Sequence, residues 1–266
     1  MEEILATYAP ITLNEMSGIR LMNRTDTKFV TTEDRLADLL ELAQPDYRVQ
    51  LLEADDGARA EYVGRPVLPY STTYFDTPDY AMFYTHQHGH AGRQKLRIRS
   101  YDSSELAFLE VKTKNNRGRT KKKRVPLDAS TPHLWTPGVA TTEEADFVHR
   151  HLLAYDPLTL APKVANRFDR ITLVNRALTE RLTIDCHLAF RNPVSGRDLE
   201  LPRIVIIELK RDGLQPSPIL GLLRQLRIRP MGFSKYCIGS ALTNPQLRIN
   251  RFKPRLRRIE KMMAMR

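Results

Sequence analysis

The chain has 266 residues, 41% of them hydrophobic and 27% charged, and 42 Lys and Arg against 31 Asp and Glu give a formal net charge of +11. That apolar share is too high for a disordered chain, and no apolar run approaches the roughly 18 residues that read as a membrane span. Two cysteines, Cys186 and Cys237, exclude a disulfide framework, and the acidic start Met1-Glu2-Glu3 lacks the regions of a signal peptide, so a cytoplasmic protein with an anionic partner is expected.

The first strand spans 22–30. Thr32, followed by Glu33 and Asp34, opens a helix carrying Leu36, Leu39, Leu40 and Ala43. A strand at 70–76 precedes His86, His88 and His90, which with Gly89 and Gly92 read as a polar loop; a histidine metal site also needs a carboxylate or Cys partner nearby. Strands 94–101, 106–114 and 120–127 follow, and the turn after Lys114 makes the last two a hairpin. Its basic run, 117–124, is a solvated surface or a guide for polyanion at one mouth of a cavity. Trp135 lies in a Pro-bounded loop. Thr141 and Glu144 form a capping box before a helix through Phe147, Val148, His151, Leu152 and Tyr155. After strands 165–175, 180–187 and 203–211, Ser217-Pro218 opens a helix with Leu220, Leu223 and Leu226. The tail, 255–266, is a basic helix with an apolar stripe of Leu256, Ile259, Met262 and Met263. It suits either peripheral contact with an anionic membrane or docking on the protein's own exterior.

Side chains two apart on a strand share a face. Such faces carry Arg24, Asp26 and Lys28; Lys95, Arg97, Arg99 and Tyr101; and Glu110, Lys112 and Lys114. Further on they carry Phe168, Arg170 and Thr172; Arg181, Thr183 and Asp185; and Glu208 and Lys210. The opposite faces are mostly apolar, and Cys186 falls on one of them as a buried thiol. On any single strand this is ordinary half-solvated sheet. On six strands, an open sheet would repel itself, whereas a barrel closed around a polyanion turns the repulsion into binding. The fold expected is α+β: one domain, an antiparallel β-barrel tunnel with helices packed outside. Carboxylates inside such a lumen suit a hard divalent cation bridging to phosphate oxygens.

The order Arg24-Thr-Asp-Thr-Lys28, Tyr74-Phe-Asp-Thr-Pro-Asp-Tyr80, Lys95-Leu-Arg-Ile-Arg-Ser-Tyr101, Glu110-Val-Lys112, Arg181-Leu-Thr-Ile-Asp185, Glu208-Leu-Lys210 and Ser234-Lys-Tyr236 resembles the VTC domain. This is the polyphosphate polymerase domain of the vacuolar transporter chaperone complex, in its bacterial form, one of the triphosphate tunnel metalloenzymes. The resemblance runs from about Asn14 to Leu242. It implies transfer of the ATP γ-phosphate onto a growing polyphosphate chain with Mn²⁺ or Mg²⁺. Lys28, Arg97, Arg99, Lys112, Arg170, Arg181, Lys210 and Lys235 then become the phosphate-binding catalytic set, with Arg24, Lys95, Lys114 and Ser234 as further substrate contacts. Glu208 becomes the metal ligand, helped by Glu110 and Asp185.

The hydrolase and cyclase branch of the superfamily opens with Glu-x-Glu-x-Lys, and here Arg24 replaces the first carboxylate, which favours the polymerase branch. The regulatory domain and membrane spans of the yeast complex have no counterpart in this sequence, so neither attached sensing nor translocation is expected. The expected partners are ATP or another nucleoside triphosphate and polyphosphate or pyrophosphate. Nucleic acid is not expected, because aromatic residues are not interleaved with the basic ones. An inorganic triphosphatase on the same fold and a non-catalytic polyanion binder are the alternatives.

Overall fold

Alternation becomes an eleven-stranded sheet. The computed structural model describes residues 1–19, 24–116, 119–130, 132, 135–213 and 215–264, with the backbone alone at Arg24. Met22, Arg117, Gly118, Met265 and Arg266 therefore lie outside the described residues, as does the Arg24 side chain expected to contact substrate.

The chain begins with α1 (Glu2–Leu5), β1 (Ala9–Ile11), α2 (Leu13–Ser17), β2 (Arg24–Thr32), α3 (Glu33–Ala43) and β3 (Tyr47–Gln50). It continues with β4 (Leu68–Asp76), α4 (Ala81–Gln87), β5 (Gln94–Tyr101), β6 (Leu106–Lys114), β7 (Thr120–Leu127) and α5 (Thr142–His151). The last third holds β8 (Ala161–Asn175), β9 (Glu180–Arg191), β10 (Asp198–Leu201), β11 (Ile204–Asp212), α6 (Pro218–Gln225), α7 (Lys235–Thr243) and α8 (Lys253–Ala264).

The strand order is β2-β11-β9-β8-β4-β5-β6-β7, every neighbouring pair antiparallel. β3 joins β8 and pairs in parallel with β1, while β10 extends β9. Among the described residues no ladder joins β7 back to β2, so hydrogen bonds do not close the expected barrel and the sheet is a curled, tunnel-like wall.

Its outer face is apolar, as the alternation requires. Ile171, Leu173, Leu182, Ile184, Ile207 and Leu209 pack against Leu36 and Leu39 of α3 and Ile219 and Leu223 of α6, with Cys186 buried among them. Leu96, Ile98, Leu109 and Val111 pack against Phe147 and Val148 of α5. Trp135 belongs to this cluster, and its Nε1 donates to Glu144 at 2.8 Å, the glutamate of the α5 capping box.

The inner face changes character along its length. On β11, Glu208 and Lys210 share their face with Ile204 and Ile206, and on β2, Lys28 shares its face with Val30. The apolar part receives α7, whose Tyr236, Cys237 and Ile238 cluster with Ile204, Ile206, Val164 and Phe190. Gly239 makes this possible: a Cβ there would lie 2.4 Å from Cδ1 of Phe190. α7 thus packs on the charged side of the sheet together with α4 and α8, while α3, α5 and α6 cover its back.

Two elements have no capping box to announce them. His86 is helical, while His88 and His90 follow in a turn as expected; the helix forms because buried Asp76 at the end of β4 accepts from the backbone N–H groups of Met82 and Phe83, both at 2.8 Å. α7 is capped by Ser234, whose Oγ accepts from Cys237 N at 3.2 Å. The C-terminal stripe faces inward: Leu256 and Ile259 are buried, and Met262 and Met263 pack against the same cluster. Burying such side chains stabilises by about 1.5–3 kcal/mol each. Docking on the protein itself therefore consumes the stripe that membrane contact would need. No helix of the described residues is long and apolar enough to cross a membrane.

Candidate active site

The charged part of the inner face encloses a cavity of about 830 Å³. Lys28 from β2, Lys95, Arg97 and Arg99 from β5, and Lys112 and Lys114 from β6 line it. So do Arg170, Arg181 and Lys210 from β8, β9 and β11, and Ser234 and Lys235 from the start of α7. Of the three carboxylates expected to hold metal, Glu208 and Asp185 face the cavity. Glu110 has no exposed surface and lies behind Arg97.

The carboxylates are held by cations. Arg170 donates to Asp185 from Nε at 2.6 Å and from Nη2 at 2.9 Å, and Lys235 donates to the same group. Burial would raise the Asp185 carboxyl, but Arg170 and Lys235 outweigh it and hold the group well below the carboxylate range. Glu208 accepts from Lys210 at 2.5 Å and has Lys28 at 3.9 Å. There, too, the two lysines outweigh burial and keep it ionised. Glu110 accepts from Nε and Nη2 of Arg97 at 2.7 and 2.5 Å and from Lys122 at 3.2 Å. Burial opposes ionisation of Glu110, yet these neighbours bring it down to about 2.

Several cations lack such partners. Arg99 makes no carboxylate contact among the described residues, and its buried Nε has no hydrogen-bond partner. Burial and the neighbouring Arg97 and Arg170 pull its guanidinium down to about 10. Lys112 is lowered well below the usual lysine range by burial, Arg97 and Arg99. Lys235, although paired with Asp185, also falls to about 7, chiefly through burial. Such crowding is costly in an empty cavity and favourable once an anion fills it.

Ser234 Oγ accepts from Lys95 at 2.9 Å as well as capping α7, so the amino end of this nine-residue helix opens on the cavity between two lysines. Backbone N–H groups at such an end favour phosphate oxygens.

The cavity also takes residues that alternation did not single out. Lys122 lies opposite Lys112 on β7, a signal present in the hairpin register. Tyr70 and Tyr74 come from β4, whose cavity-lining residues carry no basic group. His86 and Arg93 flank the turn between α4 and β5, and Arg255 comes from distant α8, so no periodicity links the three. Burial and the charges of Lys95, Arg93, Lys28 and Arg255 push His86 down to about 2.

The donor chemistry suits a hard divalent cation. Glu208 and Asp26 face the cavity from adjacent strands, with Asp26 opposite Lys210, and phosphate oxygens would complete an all-oxygen shell. Asp185 and Glu110 have both carboxylate oxygens engaged by cations. A second acidic group, Glu53, Asp55 and Asp56, brings ligand oxygens within 4.8 Å of one another, and its Asp56 lines the cavity as well. There the Asp56 carboxylate already accepts from Glu53 N at 2.9 Å.

The VTC domain family profile matches residues 23–244. A search of curated proteins finds no match. Among solved structures, a candidate adenylate cyclase from Bacillus halodurans is similar at 13% identity and a TM-score of 0.50, covering 87% of this chain and 99% of that one. A candidate adenylyl cyclase from Hippeastrum, reported to have a dominant triphosphatase activity, is similar at 14% identity and a TM-score of 0.44, covering 85% of this chain and 98% of that one. The Bacillus protein shares the curled, tunnel-like sheet.

Proposed function

This chain belongs to the VTC domain family, and we propose that it is a polyphosphate polymerase, moving the γ-phosphoryl group of ATP onto the end of a polyphosphate chain with Mn²⁺ or Mg²⁺. One observation carries the reading: cations from seven strands and α7 converge on a single cavity, and among the described residues part of that charge has no carboxylate to neutralise it. A simple surface for binding nucleic acid needs neither the enclosure nor the ionised Glu208 among the lysines.

Arg99, Lys112 and Lys28 would hold the phosphates of the donor, with Lys114 and Arg181 as further contacts. Arg170 is pinned by Asp185 and presents a fixed guanidinium. Lys235 and the start of α7 would steady the equatorial oxygens of the transferring group. A terminal oxygen of the acceptor chain forms the new bond to the γ-phosphorus, the bond from that phosphorus to the β–γ bridging oxygen breaks, and ADP leaves. Little covalent work is asked of the protein; positioning and charge supply the rate. Glu208 and Asp26 would hold the divalent ion, which when bound supplies neutralisation of the phosphate oxygens.

The test is incubation with ATP and Mn²⁺, followed by gel analysis of products. A ladder of polyphosphate with matching ADP supports the polymerase. Orthophosphate released from tripolyphosphate without a ladder replaces it with a triphosphatase, and no turnover with tight polyphosphate binding leaves a binding module.

A further inference from the structure

One polar row on the inner face of the sheet lies mostly behind the cavity. Asn166 on β8 stands opposite Thr72 on β4, and Thr72 stands opposite Arg99 on β5. Residues directly opposite one another share a face, so all three side chains rise from the inner side of the sheet. Arg99 lines the cavity, whereas Thr72 and Asn166 do not. Each of those two is 2% exposed.

Rings enclose the row. Phe190 of β9 lies beyond Asn166 at one end, and Phe108 of β6 lies beyond Arg99 at the other. Along β4, Tyr74 precedes the row's successor position and Tyr70, stacked on Phe168, stands on its other side. Four buried polar atoms inside this frame have no hydrogen-bond partner among the described residues: Nε of Arg99, Oγ1 of Thr72, and Nδ2 and Oδ1 of Asn166. Buried polar groups are nearly always paired, so four unpaired ones in a single row call for a guest.

We propose that Arg99, Thr72 and Asn166 form a buried seat for one halide ion behind the cavity wall. The row offers three donors: the guanidinium Nε, the threonine hydroxyl and the amide Nδ2. A halide accepts from all three at once. Charge points the same way. Arg99 is a buried cation, and Glu110, one strand over, gives its oxygens to Arg97 and Lys122. Water would suit Asn166 Oδ1 but leave that charge in place, whereas a monovalent anion cancels it. A phosphate held in the cavity does not reach Thr72 or Asn166, which do not line it. The seat holds Arg99 by Nε and leaves the rest of the guanidinium to the cavity, whichever reaction the cavity carries.

Crystals of the wild-type chain soaked in bromide test the seat directly. Anomalous scattering should show one bromide between Arg99 Nε, Thr72 Oγ1 and Asn166 Nδ2. A site without anomalous signal is dry or holds water, and overturns the proposal. In solution, thermal melts in sodium chloride and in sodium gluconate at equal ionic strength separate a seat from screening. Wild type should melt about 2–4 °C higher in chloride at roughly five times its Kd, and the gain should saturate as one site does. Thr72→Val should lose that difference. Asn166→Asp, which sets a carboxylate in the row with Arg99, should melt in gluconate as wild type does in chloride and gain nothing from the halide. No chloride gain in wild type, or an equal gain in all three proteins, overturns the seat.

Discussion

The two walls of the cavity hold their charge in opposite ways. On the wall built by β8, β9, β11 and β2, cations meet carboxylates: Arg170 and Lys235 share Asp185, and Lys210 and Lys28 flank Glu208. On the wall built by β5, β6 and β7, Glu110 is taken up by Arg97 and Lys122, while Arg99 and Lys112 face the cavity without a carboxylate contact among the described residues. The first wall is complete before any ligand arrives. The second is a set of like charges waiting for an anion. An anion that binds only the folded chain must therefore also stabilise it, and the walls should answer differently to mutation.

The largest effect is expected on the paired wall. Glu208→Gln keeps size and one oxygen but removes the charge facing the cavity. Metal-dependent ATP turnover should fall by about 10²–10³, with the melting temperature nearly unchanged. A mutant that melts much lower yet turns over normally per folded molecule would make Glu208 a structural partner of Lys210 only.

Glu110→Ala tests the carboxylate on the other wall. It leaves Arg97 buried and uncompensated, at a cost of about 3–5 kcal/mol, or roughly 10 °C in melting temperature at about 2–4 °C per kcal/mol. Tripolyphosphate should restore part of the loss. An unchanged melt would mean Arg97 does not depend on Glu110.

Arg99→Ala and Arg170→Ala set the walls side by side. The first should leave the empty protein as stable as wild type or raise its melting temperature by a few degrees, about 1 kcal/mol, while weakening tripolyphosphate about tenfold. The second should lower both stability and affinity, since it strands Asp185. Equal losses of stability in both variants would erase the distinction.

The smallest effect is a pH dependence. His86 is held neutral in the fold, down to about 2, whereas in the unfolded chain it takes a proton near its ordinary value of 6.5. Its contribution to stability is therefore whole above 6.5 and is lost as pH falls from there toward about 2. Between pH 7 and 6, wild type should lose about 1–3 °C more than His86→Asn in a thermal melt. Parallel losses would mean that His86 is not held neutral by its burial beside Lys95 and Arg93.

Much of this was legible in the residues. β5, β6 and β7 begin and end where their alternation does, because each has one wet and one dry face. The cavity-facing Lys28, Arg99, Lys112, Arg170 and Lys210 follow from the same period. Other parts follow from nothing local. β1, β3 and β10 are three or four residues long, too short for a period to show. α4 is capped by a side chain from the preceding strand, with Tyr80 at a φ of +61°, so no capping motif marks its start. α7 has little contrast between its faces, since Tyr236 to Ala241 are all buried. Arg97 and Arg99 look equivalent in sequence, two apart on one face. Only the register, which sets Glu110 opposite Arg97 and Phe108 opposite Arg99, makes one an anchor and leaves the other available to ligand.

Gly239 has a consequence beyond packing. It stands one turn after Lys235, so both lie on the same side of α7 and face the sheet. The helix touches Phe190 through the place where a side chain would be, and that missing atom sets how far the front of the helix stands from β9. At that spacing Lys235 reaches Asp185. A single methyl group at 239 would act as a shim between helix and strand, shifting the ammonium group without altering any charge in the protein. The geometry of the charged cavity is thus set at a residue that does not line it.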